Sequence, residues 1–87
     1  MIRVWNNDDY ASLETEEYDF YFGYESAVSE EDGGTGEWAF TVNSKKSGER
    51  LARIEEPELD RLLAGSKNEP VEYLLCGIGI FIEKLNR

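Results

Sequence analysis

From Tyr18 the chain alternates with a period of two. Tyr18, Phe20, Phe22 and Tyr24 fall on one side of an extended backbone, and Asp19, Tyr21, Gly23 and Glu25 on the other. This predicts a half-buried strand over Tyr18 to Val28 with its aromatic side inward. Glu37 to Asn43 repeats the pattern, with Trp38, Phe40 and Val42 inward and Glu37, Ala39, Thr41 and Asn43 outward, and is expected to run antiparallel to it. Met1 to Trp5 alternates more briefly before Asn6-Asn7-Asp8-Asp9, whose residues favour a turn. Lys45-Lys46-Ser47-Gly48 reads as another turn, after which Glu49 to Ile54 can return as a fourth strand. Tyr10 to Glu17 is polar enough to need no burial, so it is read as a loop with at most one helical turn capped by Ser12 or Thr15. Ser29 to Gly36, with three consecutive acids and three glycines, is read as an exposed, mobile hairpin loop.

The period changes after Ile54. Pro57, flanked by Glu55, Glu56 and Glu58, starts a helix of about two turns through Leu59, Leu62 and Leu63 that Gly65 ends. Asn68-Glu69-Pro70 repeats that start. Val71, Leu74, Leu75, Ile78, Phe81, Ile82 and Leu85 then follow helical spacing, which predicts an amphipathic C-terminal helix. Ile78, Ile80 and Ile82 alternate with Gly77, Gly79 and Phe81 as a buried strand would, and each helical glycine costs roughly 1 kcal/mol against Ala. The seven periodic positions and the Pro-plus-acid start favour the helix. In that case Tyr73, Cys76, Gly77 and Ile80 form a second, partly apolar strip. The sheet would cover one strip and leave the other to the short helix or to a second protomer.

These elements give an α+β fold: a three- to four-stranded antiparallel sheet from the N-terminal 54 residues with two C-terminal helices packed on one face. The expected core draws on Ile2, Val4, Phe20, Phe22, Tyr24, Trp38, Phe40, Val42, Leu62, Leu74, Leu75, Ile78, Phe81 and Ile82. At 87 residues the chain is read as one domain, residues 1–87, that must fold on packing, because its one cysteine permits no intramolecular disulfide.

Charge changes the picture. The net charge is −10, and from Val4 to Ser44 there are eleven carboxylates and no Lys, Arg or His, interleaved with nine of the eleven aromatic residues. Such a surface repels nucleic acid and anionic membranes, so neither is an expected direct partner. The longest apolar run, Tyr73 to Ile82, is about half the length of a membrane span. With no basic and apolar leader at the N-terminus, the expected location is the cytoplasm.

Candidate chemistry is sparse. The missing histidines remove the commonest zinc ligand and general base. The acidic pairs read as solvated charge, since acid–base roles need carboxylates that face each other across a pocket. Glu30 to Glu37 lacks the alternating ligands of a calcium loop. Gly33 to Gly36 has no following Lys and three preceding acids, against a phosphate cradle. Cys76 has no basic neighbour and reads as a structural thiol. No cofactor, no metal and no catalytic residue is expected, and the chain is read as no enzyme.

What remains is recognition. Tyr10, Tyr21 and Trp5 beside carboxylates would supply ring contact area and counter-charges for Arg or Lys of a partner. In small size, acidity and want of catalytic residues the chain resembles, in composition only, phage and bacterial inhibitors such as toxin-immunity proteins, anti-CRISPR proteins and DNA mimics. The first expectation is therefore a noncatalytic protein occupying a basic, nucleic-acid-binding surface of a larger protein or nuclease, through Asp19, Tyr21, Glu25, Glu30, Glu31, Asp32 and Glu37. The alternative is a small structural or accessory protein that forms a homodimer through the C-terminal helix at Tyr73, Gly77 and Ile80.

Overall fold

A computed structural model describes residues 2–25, 36–63 and 69–86. The element order is β1 (Arg3–Asn6), β2 (Ala11–Glu14), β3 (Tyr18–Glu25), β4 (Glu37–Ser44), β5 (Arg50–Glu55), α1 (Glu56–Leu63) and α2 (Pro70–Leu85). The strands form one antiparallel meander in the order β1-β2-β3-β4-β5. The fold is thus α+β, with five strands in place of the expected three to four.

The additional strand is β2, in the segment read as a loop. Two inward apolar residues suffice there: Ala11 is fully buried opposite Phe22, and Leu13 packs on the core opposite Phe20. Local turns set the register on both sides. The Asn7 side-chain oxygen accepts from the amides of Asp9 and Tyr10 at 2.8 and 2.9 Å, closing β1 onto β2. Between β2 and β3, the Thr15 hydroxyl accepts from the Tyr18 amide at 3.0 Å. Gly48, at a φ of 74°, takes the left-handed conformation in the turn between β4 and β5.

The helical reading of the C-terminal segment holds across both glycines. Pro70 opens α2, and the Glu69 amide donates to the Glu72 carboxylate at 3.2 Å, so the start carries its own cap.

The core follows two cross-strand rows, Leu13-Phe20-Val42-Ala52 and Ala11-Phe22-Phe40-Ile54, which Val4 and Asn6 continue onto β1 without being buried. Tyr73 of α2 stacks on Phe22 with ring centroids 4.6 Å apart, and Phe81 meets Phe20 edge-on at 5.8 Å. Leu59 of α1 is fully buried in the same cluster.

Six residues expected in this core are instead well exposed: Ile2, Val4, Tyr24, Leu62, Leu75 and Ile82. Ile2 and Val4 belong to the edge at β1, where among the described residues no further strand or helix closes over them. Tyr24 lies beside Trp38 and uses its hydroxyl to accept from the Gly36 amide at 2.8 Å. In α1 the buried position is Leu59, not Leu62, because a helix of eight residues presents one turn to the core. Leu75 and Ile82 lie on the flank of α2 away from Tyr73, Gly77 and Phe81.

Candidate binding surfaces

Side chains alternate across a strand, so the residues between the core positions form the opposite face of the sheet. Register assembles there one row of Trp5, Ser12, Tyr21, Thr41 and Arg53, and a second of Arg3, Glu14, Asp19, Asn43 and Arg50. Tyr10 stacks on Tyr21 with centroids 5.7 Å apart, and Trp5 is 44% exposed. The expected aromatic and acidic interleaving is therefore present, but Tyr21 is only half-exposed. Its ring lies along the strand over Gly23, where a Cβ would come within 2.3 Å of the tyrosine hydroxyl. Ala39, the cross-strand partner of Gly23, and Thr41, the partner of Tyr21, are buried although they point away from the helices.

Folding partly undoes the charge separation along the chain. Arg53 reaches Glu55 at 3.0 Å and Glu37 at 3.5 Å, and Lys45 reaches Glu14 at 3.3 Å. Bases from the second half thus meet acids from both halves, and arginines interrupt the acids of this face. Asp19 keeps a half-exposed carboxylate with no ion pair among the described residues. Glu25 ends β3 with Glu37 as its Cα partner, so two acids share one register position. Glu30, Glu31 and Asp32 lie outside the described residues.

A second concentration of acid was not legible from the sequence. Asp8, from the β1–β2 turn, and Glu56, opening α1, line one hollow of about 150 Å³ walled by Phe22, Trp38, Pro70 and Tyr73. Burial, with the negative charge of Asp60 added, raises the Glu56 carboxyl above its ordinary value. The two positions are 48 residues apart, and only the return of α1 to the β1–β2 end brings them together. Among the described residues no three His, Cys, Asp or Glu side chains gather as a metal site would need, and no helix is long and apolar enough to cross a membrane. Burial also raises the Cys76 thiol, which makes it a poorer nucleophile at neutral pH.

On α2 the buried face takes residues from both strips: Leu74 and Phe81 from one, Tyr73 and Gly77 from the other. Tyr73 is 8% exposed and its hydroxyl donates to Asp60 of α1. Gly77 is buried beneath Phe40, whose Cγ would lie 2.3 Å from an added Cβ. Two of the three residues expected to self-associate therefore lie inside the protomer. Ile80 lines a groove of about 430 Å³ with Arg53, Ile54, Glu58, Arg61, Leu62 and Lys84. The strip expected to be core divides: Leu74 and Phe81 are buried as expected, while Leu75, Ile82 and Leu85 are 61%, 48% and 55% exposed. The signal for this shift of the buried face was Gly77, which fits a close approach to a ring that a leucine would prevent. In comparisons with known proteins, the chain matches no family model, no curated protein and no solved structure.

Proposed function

We propose that this chain is a noncatalytic acidic cytoplasmic protein that occupies a basic, nucleic-acid-binding surface of a larger protein, in the manner of a phage or bacterial inhibitor. Both helices are taken to pack on the Phe20–Phe22–Phe40 face, leaving the other face of the sheet for recognition. The observation that carries the reading is the Trp5–Tyr21 row running beside Asp19, with Glu37 and Glu55 at one end. Aromatic rings held flat by a sheet supply contact area at small entropic cost, and the carboxylates meet arginine or lysine. Glu25, Glu30, Glu31 and Asp32 extend the same acidic region along the chain.

The test is affinity capture with the tagged chain from lysate of its source cell or host, washed at low salt and at about 0.5 M salt, where the Debye length falls to a few ångströms. One basic protein retained at low salt, and lost with Asp19→Lys plus Glu37→Lys, is the expected result. Equal capture by the reversed variant would overturn the reading.

One observation favours the alternative of a self-associating accessory protein, namely the exposed Leu75, Ile82 and Leu85. That dimer would use this strip and not Tyr73 or Gly77. A mass of two chains in sedimentation, returned to one by Leu75→Lys, is the result it requires.

A further inference from the structure

α2 has three flanks, and two have partners. Gly77 and Phe81 face the sheet, while Tyr73, Ile80 and Lys84 face α1 and β5. The third flank carries Leu75, Ile82 and Leu85, all exposed, with Ile78 half-buried at its base. By elimination it looks toward β2 and β1. There the sheet continues the apolar surface: Leu13 of β2 touches the core, and its partner Val4 on β1 is 59% exposed. Strands are spaced about 4.8 Å apart and a helix is about 10 Å across, so with α2 lying over β3 and touching β2, the sheet edge at β1 and β2 extends about one helix beyond it as a shelf. Leu75, Ile78 and Ile82 form the kind of i, i+3, i+7 ridge that packs against another helix.

The rim of the shelf is acidic. Asp8 and Asp9 stand exposed in the β1–β2 turn, Glu17 in the β2–β3 turn, and Glu72 on α2. Of the nearby cations, Arg3 falls on the opposite face by register, Lys45 pairs with Glu14, Lys84 lines the groove beside α1, and Lys46 stands exposed in the β4–β5 turn next to Glu17. A second copy placed on the shelf would bring two such acidic rims together, each on a chain of net charge −10, and like charges in contact are unfavourable. A helix with apolar residues on one face and Lys or Arg along its margins satisfies both the floor and the rim.

We propose that the shelf formed by β1, β2 and the open flank of α2 is a docking surface for a basic amphipathic helix of the partner protein. This rests on the partner being basic, as argued above, and adds how it is held.

The probe is a labelled amphipathic Lys/Leu peptide of roughly 18 residues, long enough to form a helix on binding. Its controls are a scrambled peptide of the same composition and a Leu/Glu counterpart. Fluorescence anisotropy is expected to show the Lys/Leu peptide binding at least about tenfold more tightly than either control, a difference of about 1.4 kcal/mol. Leu75→Ser with Ile82→Ser should remove about tenfold of that affinity. Leu62→Ser, at an equally exposed leucine on α1, should leave it unchanged, which separates the shelf from general stickiness. Equal binding of the scrambled peptide would overturn the shelf while leaving the charge-based function standing. Equal binding of the Leu/Glu peptide would overturn the basic character of the occupant. No binding of any basic peptide would remove both. A dimer dispersed by the double serine variant would replace the partner helix with a second copy and overturn the proposal.

Discussion

Gly77 and Gly79, two residues apart on α2, meet opposite surroundings and give opposite predictions. At Gly77 a methyl group would press on the Phe40 ring in the core, while at Gly79 nothing lies within 4 Å. Overpacking typically costs about 1–3 kcal/mol, more than the roughly 1 kcal/mol that alanine returns in helix propensity. Gly77→Ala is therefore expected to lower the urea midpoint, and Gly79→Ala to raise stability by about 0.5–1 kcal/mol. Equal shifts would mean that Gly77 does not rest on Phe40. Glu56 supplies a titration test. Its folded pKa lies above the ordinary 4.5, so the folded chain takes up this proton before the unfolded one. Its contribution to stability is present below 4.5 and is lost as pH rises through the folded value. Glu56→Gln should raise the urea midpoint at pH 7, with the difference from wild type closing below pH 4.5. A difference independent of pH would refute the burial of this carboxyl. The Phe40 contact was not written in the local sequence, because it forms only through the tertiary fold, whereas Glu56 and Asp60 stand one helical turn apart within α1.

At the scale of elements, the sequence discloses period and start signals well and the width of a buried face poorly. β3, β4 and α2 were legible because aromatic alternation spans a full strand in each of the first two, and the third has a proline at its first turn. β2 was not legible. Its four residues, Ala-Ser-Leu-Glu, contain only two apolar positions, and the strand is held by pairing on both sides. The α2 stripe was legible as a stripe, but which part of it the sheet covers depends on where α1 stands, and helical period contains nothing about that. α1 is held by one fully buried side chain, Leu59, together with the bond from Tyr73 to Asp60. Leu59→Ala should cost about 2–5 kcal/mol. Amide exchange in α1 should then approach that of the unfolded chain before exchange in α2 does. Uniform loss of protection in both helices would show that α1 and α2 unfold as one unit.

At the scale of the molecule, the candidate site was half legible. Asp19, Glu37 and Tyr21 do occupy one face, because alternation along a strand carries directly into space. The arginines that interrupt that face come from β1 and β5 and could be placed only with the strand order known. Ion pairs of this exposed kind are worth little individually, so they leave the net charge of −10 as the dominant long-range property. Self-repulsion on this scale predicts that the thermal midpoint at pH 7 rises as salt is added from about 0.02 to 0.3 M, as screening shortens from tens of ångströms to a few. A midpoint that is flat or falls would mean that the acids are compensated by ion pairs with the chain's own bases. The same charge underlies the functional account, and its most direct test is the ionic-strength dependence of the association rate with the captured partner. The account predicts a rate that falls steeply with rising salt, and a shallower slope for Asp19→Lys with Glu37→Lys. A rate unmoved by salt, or the same slope in both proteins, would contradict it.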